Sequence, residues 1–316
     1  MSGTAANDLA LEICELRKQY GVQRALQGVS FTLARSERLA FLGPNGAGKT
    51  TLIRCLAGRT RPTSGEIQIF GRPIQSRGAR QALGLVPQEI ALYTDLSTRQ
   101  NMEAFGRLYG LSRNQLRQRV DWALQWTGLS DREHDLVGGF SGGMKRRVNL
   151  ACGVLHSPEI LLLDEPTVGV DPQSRERIFS MLDELHAGGT SILLTTHHLD
   201  EAEQRSDRIV IMDQGQVIAN GDIGSLISQT VGSSRLVRLI IEKPLTDSVP
   251  IWWSPDSGLG KAGDCTIETR ITDVSSQLPA LLDSVRNHGH NVKDVEVQSP
   301  SLHHVFLHLT GHELRD

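Results

Sequence analysis

Cysteine is scarce in this sequence and unpaired by spacing. Its four cysteines, Cys14, Cys55, Cys152 and Cys265, lie far apart with no C-x-x-C unit. Cys55 and Cys152 fall inside apolar helical patterns, so buried free thiols are expected rather than bridges, as suits a reducing cytosol. No apolar run approaches the roughly 18 residues that span a bilayer; if the protein works at a membrane, another chain must cross it. The stretch from Met1 to Asp8 lacks the charged and apolar blocks of a secretory leader. A basic excess is missing too: 33 Lys and Arg against 36 Asp and Glu give a formal net charge of -3, which argues against nucleic acid as the main partner. What remains is an ordinary globular composition, with 39% hydrophobic and 22% charged residues. A chain of 316 residues is long enough for a large core and a second small domain.

The most informative stretch runs from Gly43 to Thr51: Gly43, Pro44, Asn45, Gly46, Ala47, Gly48, Lys49, Thr50, Thr51. It fits the phosphate-loop pattern G-x-x-x-x-G-K-[ST]. Leu39 to Leu42 before it is a short apolar run of buried-strand type. Leu52, Ile53, Leu56 and Ala57 after it fall at helical spacing until Gly58. In that context the glycines let the backbone aim its N-H groups at a polyphosphate, and the helix adds the positive end of its dipole. Lys49 would bridge the terminal phosphates, and the Thr50 hydroxyl suits Mg2+, a hard cation that prefers oxygen.

Upstream, Leu9 to Leu16 reads as an edge strand and Ala25 to Leu33 as a second strand, with Tyr20 placed where a flat ring could stack on a base. Gly65 to Gly71 alternates as a half-buried strand, and Leu83 to Val86 is another, followed by Pro87 and the polar Gln88. From Ser97 to about Leu129 the period turns helical, as in an inserted subdomain. Ser141 is a natural N-cap for the next helix. Ile160 to Leu163 delivers Asp164 and Glu165 at a strand's C-terminal end, and Ile192 to Thr196 delivers His197 in the same manner. In open parallel α/β sheets ligands bind at those ends, so the three motifs converge on the phosphates.

Together these residues resemble the nucleotide-binding subunit of an ATP-binding cassette transporter, over about Leu9 to Leu226. The distinctive part is Ser141-Gly142-Gly143 a short way before Asp164-Glu165, then Gly169-Val170-Asp171 and His197. Phe140, Met144 and Val170 depart mildly from the commonest pattern. Phe140 to Arg147, Asn101 to Gly110 and the closing Ser301 to Leu314, similar to a usual C-terminal helix, match the exporter-type subfamily, whose members energise export of drugs, polysaccharides and lipids. The resemblance implies a P-loop NTPase cassette of α/β class with an antiparallel β edge subdomain and an inserted α-helical subdomain at about 97–156. That cassette would cover 9–229, and a small C-terminal α/β domain 230–316.

By the same resemblance, Tyr20 stacks on adenine, Gly43 to Thr51 hold the phosphates of ATP, and Thr50, Gln88 and Asp164 face Mg2+. Glu165 orients and deprotonates the attacking water, and His197 bonds the γ-phosphate; His198 beside it fits that contact less well by its distance from the strand. Lys49, Gln88, Glu165 and His197 are thus the expected catalytic set. Ser141, Gly142, Gly143 and Met144 would bind nucleotide held by an opposite subunit, and Asp171 is carried over with them. The implied partners are an integral membrane permease and a second copy or a paralogous ATPase, with no nucleic acid and a cytoplasmic, peripheral place at the inner membrane face. The alternatives are a soluble cassette ATPase and a nucleotide-gated regulatory module without turnover.

Past Thr230, Leu236 to Ile241 and Cys265 to Ile271 are strand-like. Val274, Leu278, Leu281 and Val285 form a helical stripe, and Asn291 to Val297 alternates again. Trp252 and Trp253, between Pro250 and Pro255, read as loop or core packing. His304, His308 and His312 recur every four residues and read as a solvated helix face rather than a metal site.

Overall fold

The computed structural model describes residues 8–232, 234–244, 258–259 and 265–310. The chain divides into two compact units that part between Asp222 and Ile223.

In the first unit, β1 (Leu9–Tyr20), β2 (Gln23–Ala34), β4 (Ser64–Ile69) and the short β5 (Arg72–Pro73) form an antiparallel sheet in the order β2-β1-β4-β5. β1 pairs on both sides, with β2 and with β4, so Leu9 to Leu16 is an interior strand and not the edge that its mixed pattern suggests. A second sheet runs in the order β10-β9-β3-β8-β7-β6. Its strands are β3 (Arg38–Leu42), β6 (Leu83–Val86), β7 (Ile160–Asp164), β8 (Ser191–Thr196), β9 (Arg208–Asp213) and β10 (Gln216–Gly221). All pair in parallel except β10, which turns back antiparallel along β9. β3, β7 and β8 are buried throughout, which is why they read as continuous apolar runs rather than alternating ones.

The two sheets share a core in which Phe31 of β2 meets Phe41 of β3 with ring centroids 5.0 Å apart, joined by Leu52, Leu162 and Leu193. Two helices come early: α1 (Lys49–Leu56) behind the phosphate loop and α2 (Arg77–Gln81). The helical insertion consists of α3 (Thr98–Leu108), α4 (Arg113–Thr127) and α5 (Gly142–Val154). Ser97 caps α3 in a reciprocal box with Gln100. α6 (Pro172–Ala187) and α7 (Leu199–Arg205) follow β7 and β8.

The second unit opens with α8 (Ile223–Thr230), which packs on the last helix, α10 (Leu302–Thr310). That packing sets the junction earlier than the 229/230 position expected from the sequence. Its antiparallel sheet has the order β12-β13-β11-β14, from β11 (Arg235–Ile241), β12 (Gly258–Leu259), β13 (Thr266–Ile271) and β14 (Val292–Gln298). Leu281 and Val285 of α9 (Val274–Asn287) bury against Val237, Leu239 and Ile267. Trp252, Trp253 and His312 lie outside the described residues. Among the described residues no group of three His, Cys, Asp or Glu side chains could hold a metal. All four cysteines are free thiols, but only Cys55 and Cys152 are buried; Cys14 is exposed on the outward side of β1, and Cys265 is exposed just before β13 begins.

Candidate nucleotide site

A cleft of about 790 Å3 opens over the C-terminal ends of β3, β7 and β8. It is lined by Tyr20, Asn45, Gly46, Gly48, Lys49, Thr50, Thr51, Gln88, Glu165 and His197. The other loop residues, Gly43, Pro44 and Ala47, do not line it but brace the loop: Ala47 donates to the Pro44 carbonyl at 3.1 Å and accepts from Gly215 at 3.0 Å. Gly48 is irreplaceable by any larger residue, since its φ is +105° and a Cβ there would lie 2.4 Å from the Ala25 carbonyl oxygen.

Lys49 is buried, and its ammonium donates to the carbonyls of Gly43 at 2.6 Å and Pro44 at 3.2 Å. Burial pulls its pKa below the usual lysine value, against the opposing pull of Glu165 and Asp164. Asp164 is also buried, and burial pushes its pKa up despite hydrogen bonds from Thr195, at 2.7 Å, and from Thr50. Its negative charge is therefore under-compensated by the protein's own donors. Thr50, Gln88 and Asp164 line an adjoining cavity of about 120 Å3, so the three oxygen-bearing side chains expected at Mg2+ share one place.

Glu165 sits just past β7 in a left-handed conformation, φ +47°. Its backbone N-H donates to Thr195 of the neighbouring strand, which fixes a posture that a side-chain-bearing residue rarely adopts. The carboxylate accepts from Gln88 Nε2 at 3.2 Å and lies 3.4 Å from His197 Nδ1. His198 also lines the cleft, its ring 4.3 Å from that of His197, but it makes no ion pair with Glu165. Tyr20 borders the cleft mouth with its ring partly exposed and Lys18 Nζ 4.8 Å from the ring centroid.

Ser141, Gly142, Gly143, Met144 and Asp171 do not line this cleft. Ser141 caps α5 by accepting from the Met144 N-H, and Asp171 caps α6 by accepting from the Ser174 N-H at 2.9 Å. Both caps are exposed. The two turns touch: a Cβ on Gly143 would meet Ser174 Oγ at 2.2 Å.

Several residues at the site carry no signal in the sequence. Arg175 and Arg24 line the cleft, and neither belongs to a motif. Arg146 donates to the Pro87 carbonyl at 3.1 Å, while Asn149 donates to the same carbonyl at 3.4 Å and accepts from the Ala91 N-H at 3.3 Å. Their three-residue spacing on α5 puts them on one helix face, the only hint that they act together.

The ABC transporter family pattern matches residues 26–168. The chain is 37% identical to the linearmycin resistance ATP-binding protein LnrL of Bacillus subtilis (strain 168), over 97% of this chain and 100% of that one. It is 37% identical to the daunorubicin resistance ATP-binding protein DrrA3 of Streptomyces coeruleorubidus, over 98% of each. A solved ATP binding subunit of an ABC transporter superimposes with a TM-score of 0.64 at 32% identity, covering 70% of this chain and 92% of its own. With its phosphate loop, acidic strand end and histidine gathered in one cleft, the chain belongs to the ATP-binding subunits of ABC transporters, which bind and hydrolyse ATP.

Proposed function

We propose that this chain is the motor half of an exporter: two copies, or one copy and a paralogue, close on ATP and drive a separate membrane-embedded permease. The observation that carries the reading is the separation within one chain. Glu165 and His197 face the cleft, whereas the exposed caps Ser141 and Asp171 face elsewhere. An exposed helix N-terminus suits phosphate, and on this reading it serves nucleotide held by another subunit. No helix among the described residues is long and apolar enough to cross a membrane, in keeping with a permease on a different chain and a peripheral place at the inner membrane face. Relatives named for linearmycin resistance, daunorubicin resistance and Nod factor export support export of drug-, lipid- or saccharide-like cargo.

Within the site, Tyr20 stacks on adenine and the loop Gly43 to Thr51 wraps the phosphates, with Lys49 leaving its carbonyl partners to meet them. Thr50, Gln88 and Asp164 fit Mg2+, since they offer oxygens around a buried carboxylate whose charge is poorly balanced. The ion would supply neutralising charge at the phosphate oxygens. Glu165 accepts the proton of the attacking water, and His197 donates to the terminal phosphate while holding the carboxylate's orientation. In membranes that contain the permease, Glu165→Gln is expected to abolish steady-state phosphate release and to accumulate ATP-bound dimers, measured by crosslinking across Ser141. Turnover at the unmodified rate, or no pairing with ATP bound, overturns the reading.

A further inference from the structure

Glu201, on α7, is a buried carboxylate that belongs to no motif and does not line the nucleotide cleft. A buried carboxylate is costly unless its oxygens are satisfied, and here two threonine hydroxyls from separate segments donate to it while a guanidinium from a third pairs with it by charge. The Thr167 hydroxyl lies 3.0 Å from both carboxylate oxygens. The Thr196 hydroxyl donates at 3.2 Å, and Arg175 Nε, from α6, lies 3.4 Å away. Thr167 follows Glu165 by two positions, Thr196 immediately precedes His197, and Arg175 lines the cleft. Thr167 and Thr196 are themselves buried, so neither hydroxyl has water as a ready substitute.

We infer that Glu201 is a positioning residue for hydrolysis: one carboxylate clamps the chain segments that carry Glu165 and His197, and so holds those two side chains in register. This rests on Glu165 and His197 being the acting groups. Two strands already run side by side there, but the side chains leave the sheet at its very end, beyond the last ladder pair between Asp164 and Thr195. Past the further bond from the Glu165 N-H to Thr195, the bonds through Glu201 tie the segment at Thr167 to the end of β8 at Thr196. Loss of the clamp leaves the nucleotide's own contacts in place and loosens the geometry of reaction alone.

The test compares Glu201→Gln, Thr167→Val and Thr167→Ser in the full-length chain, with turnover divided by the number of sites that bind a fluorescent ATP analogue. Glu201→Gln and Thr167→Val should each lower kcat by about tenfold to a hundredfold, the scale set by small misplacements of reacting groups, with KM for ATP and site number unchanged. Thr167→Ser, which keeps the hydroxyl, should restore kcat, and the double variant Glu201→Gln/Thr167→Val should be no slower than the slower single. An unchanged kcat in Glu201→Gln overturns the inference. So does a loss that disappears once turnover is divided by binding sites, which marks a folding role, or a double variant whose effects multiply. Glu165→Gln is run alongside: if it retains turnover, the assignment of the acting groups fails as well, whereas if it alone is dead, only the clamp is refuted.

Discussion

Replacing Gly143 by alanine tests whether the contact between the two exposed caps is as tight as the geometry says. An alanine Cβ at this position would lie 2.2 Å from Ser174 Oγ and 2.5 Å from Ser174 Cβ, where carbon atoms normally settle at about 3.5–4.0 Å. Ser174 cannot simply rotate away, because its Cβ is fixed by a backbone whose N-H is held by Asp171. Gly143 lies in the first turn of α5, where alanine gains at most the roughly 1 kcal/mol it has over glycine in a helix interior, and overpacking of this kind costs up to about 3 kcal/mol. The net loss is about 2 kcal/mol, which for a unit of this size lowers Tm by about 4–8 °C. Gly142→Ala is the internal control: its Cβ meets the Gly169 carbonyl at an ordinary 3.5 Å, so Tm should hold or rise. Scanning calorimetry of the two variants decides the matter. ATP binding to the cleft, measured by titration, should survive in Gly143→Ala while ATP-dependent pairing is lost. Equal Tm for both variants, or partial recovery failing to appear when Ser174→Gly is added to Gly143→Ala, refutes the reasoning.

Two further outcomes follow from other parts of the cassette. His156 is stacked on Tyr109 with Nε2 at 2.9 Å from the Leu83 carbonyl, and burial holds its pKa below the usual value. The unfolded chain therefore binds this proton first, at about pH 6.5, so the contribution of His156 is lost as pH falls below that value and is complete above it. The slope approaches about 1.4 kcal/mol per pH unit, and urea melts between pH 7 and 5 should show it flattened in His156→Gln. Tyr20→Ala should weaken ATP binding about tenfold through loss of ring stacking, with Tyr20→Trp restoring it, as read by calorimetric titration; equal affinity in all three would remove Tyr20 from the site.

The parts of the site that were legible in the sequence are those in which chemistry and backbone shape are written in the same few residues. The glycines and Lys49 demand a phosphate loop, and the apolar runs before Asp164 and His197 can only be buried parallel strands. β1 was misplaced at an edge because side-chain alternation reports which face is buried and says nothing of how many neighbours take the backbone hydrogen bonds. Glu201 went unread for a different reason. Its partner Thr167 is 34 residues away, and a lone glutamate in the acidic run Asp200, Glu201, Glu203 looks like a solvated helix start until the fold turns it inward. The junction at Asp222 was hidden because α8 has an apolar pattern that either unit could have buried.

Gln88 belongs to α5 more than to the sheet. β6 is the outermost strand of its sheet, with β7 as its only neighbour there, whereas Pro87 and Ala91, on either side of Gln88, are both fastened to α5 through Arg146 and Asn149. Tilting α5 therefore drags Gln88 with it, and a travel of about 1 Å is enough to take the 3.2 Å contact with Glu165 beyond bonding range. The amide works as a feeler gauge: a push on Ser141 at the helix start is passed through Arg146 and Asn149, midway along it, and registered as a gap beside the glutamate.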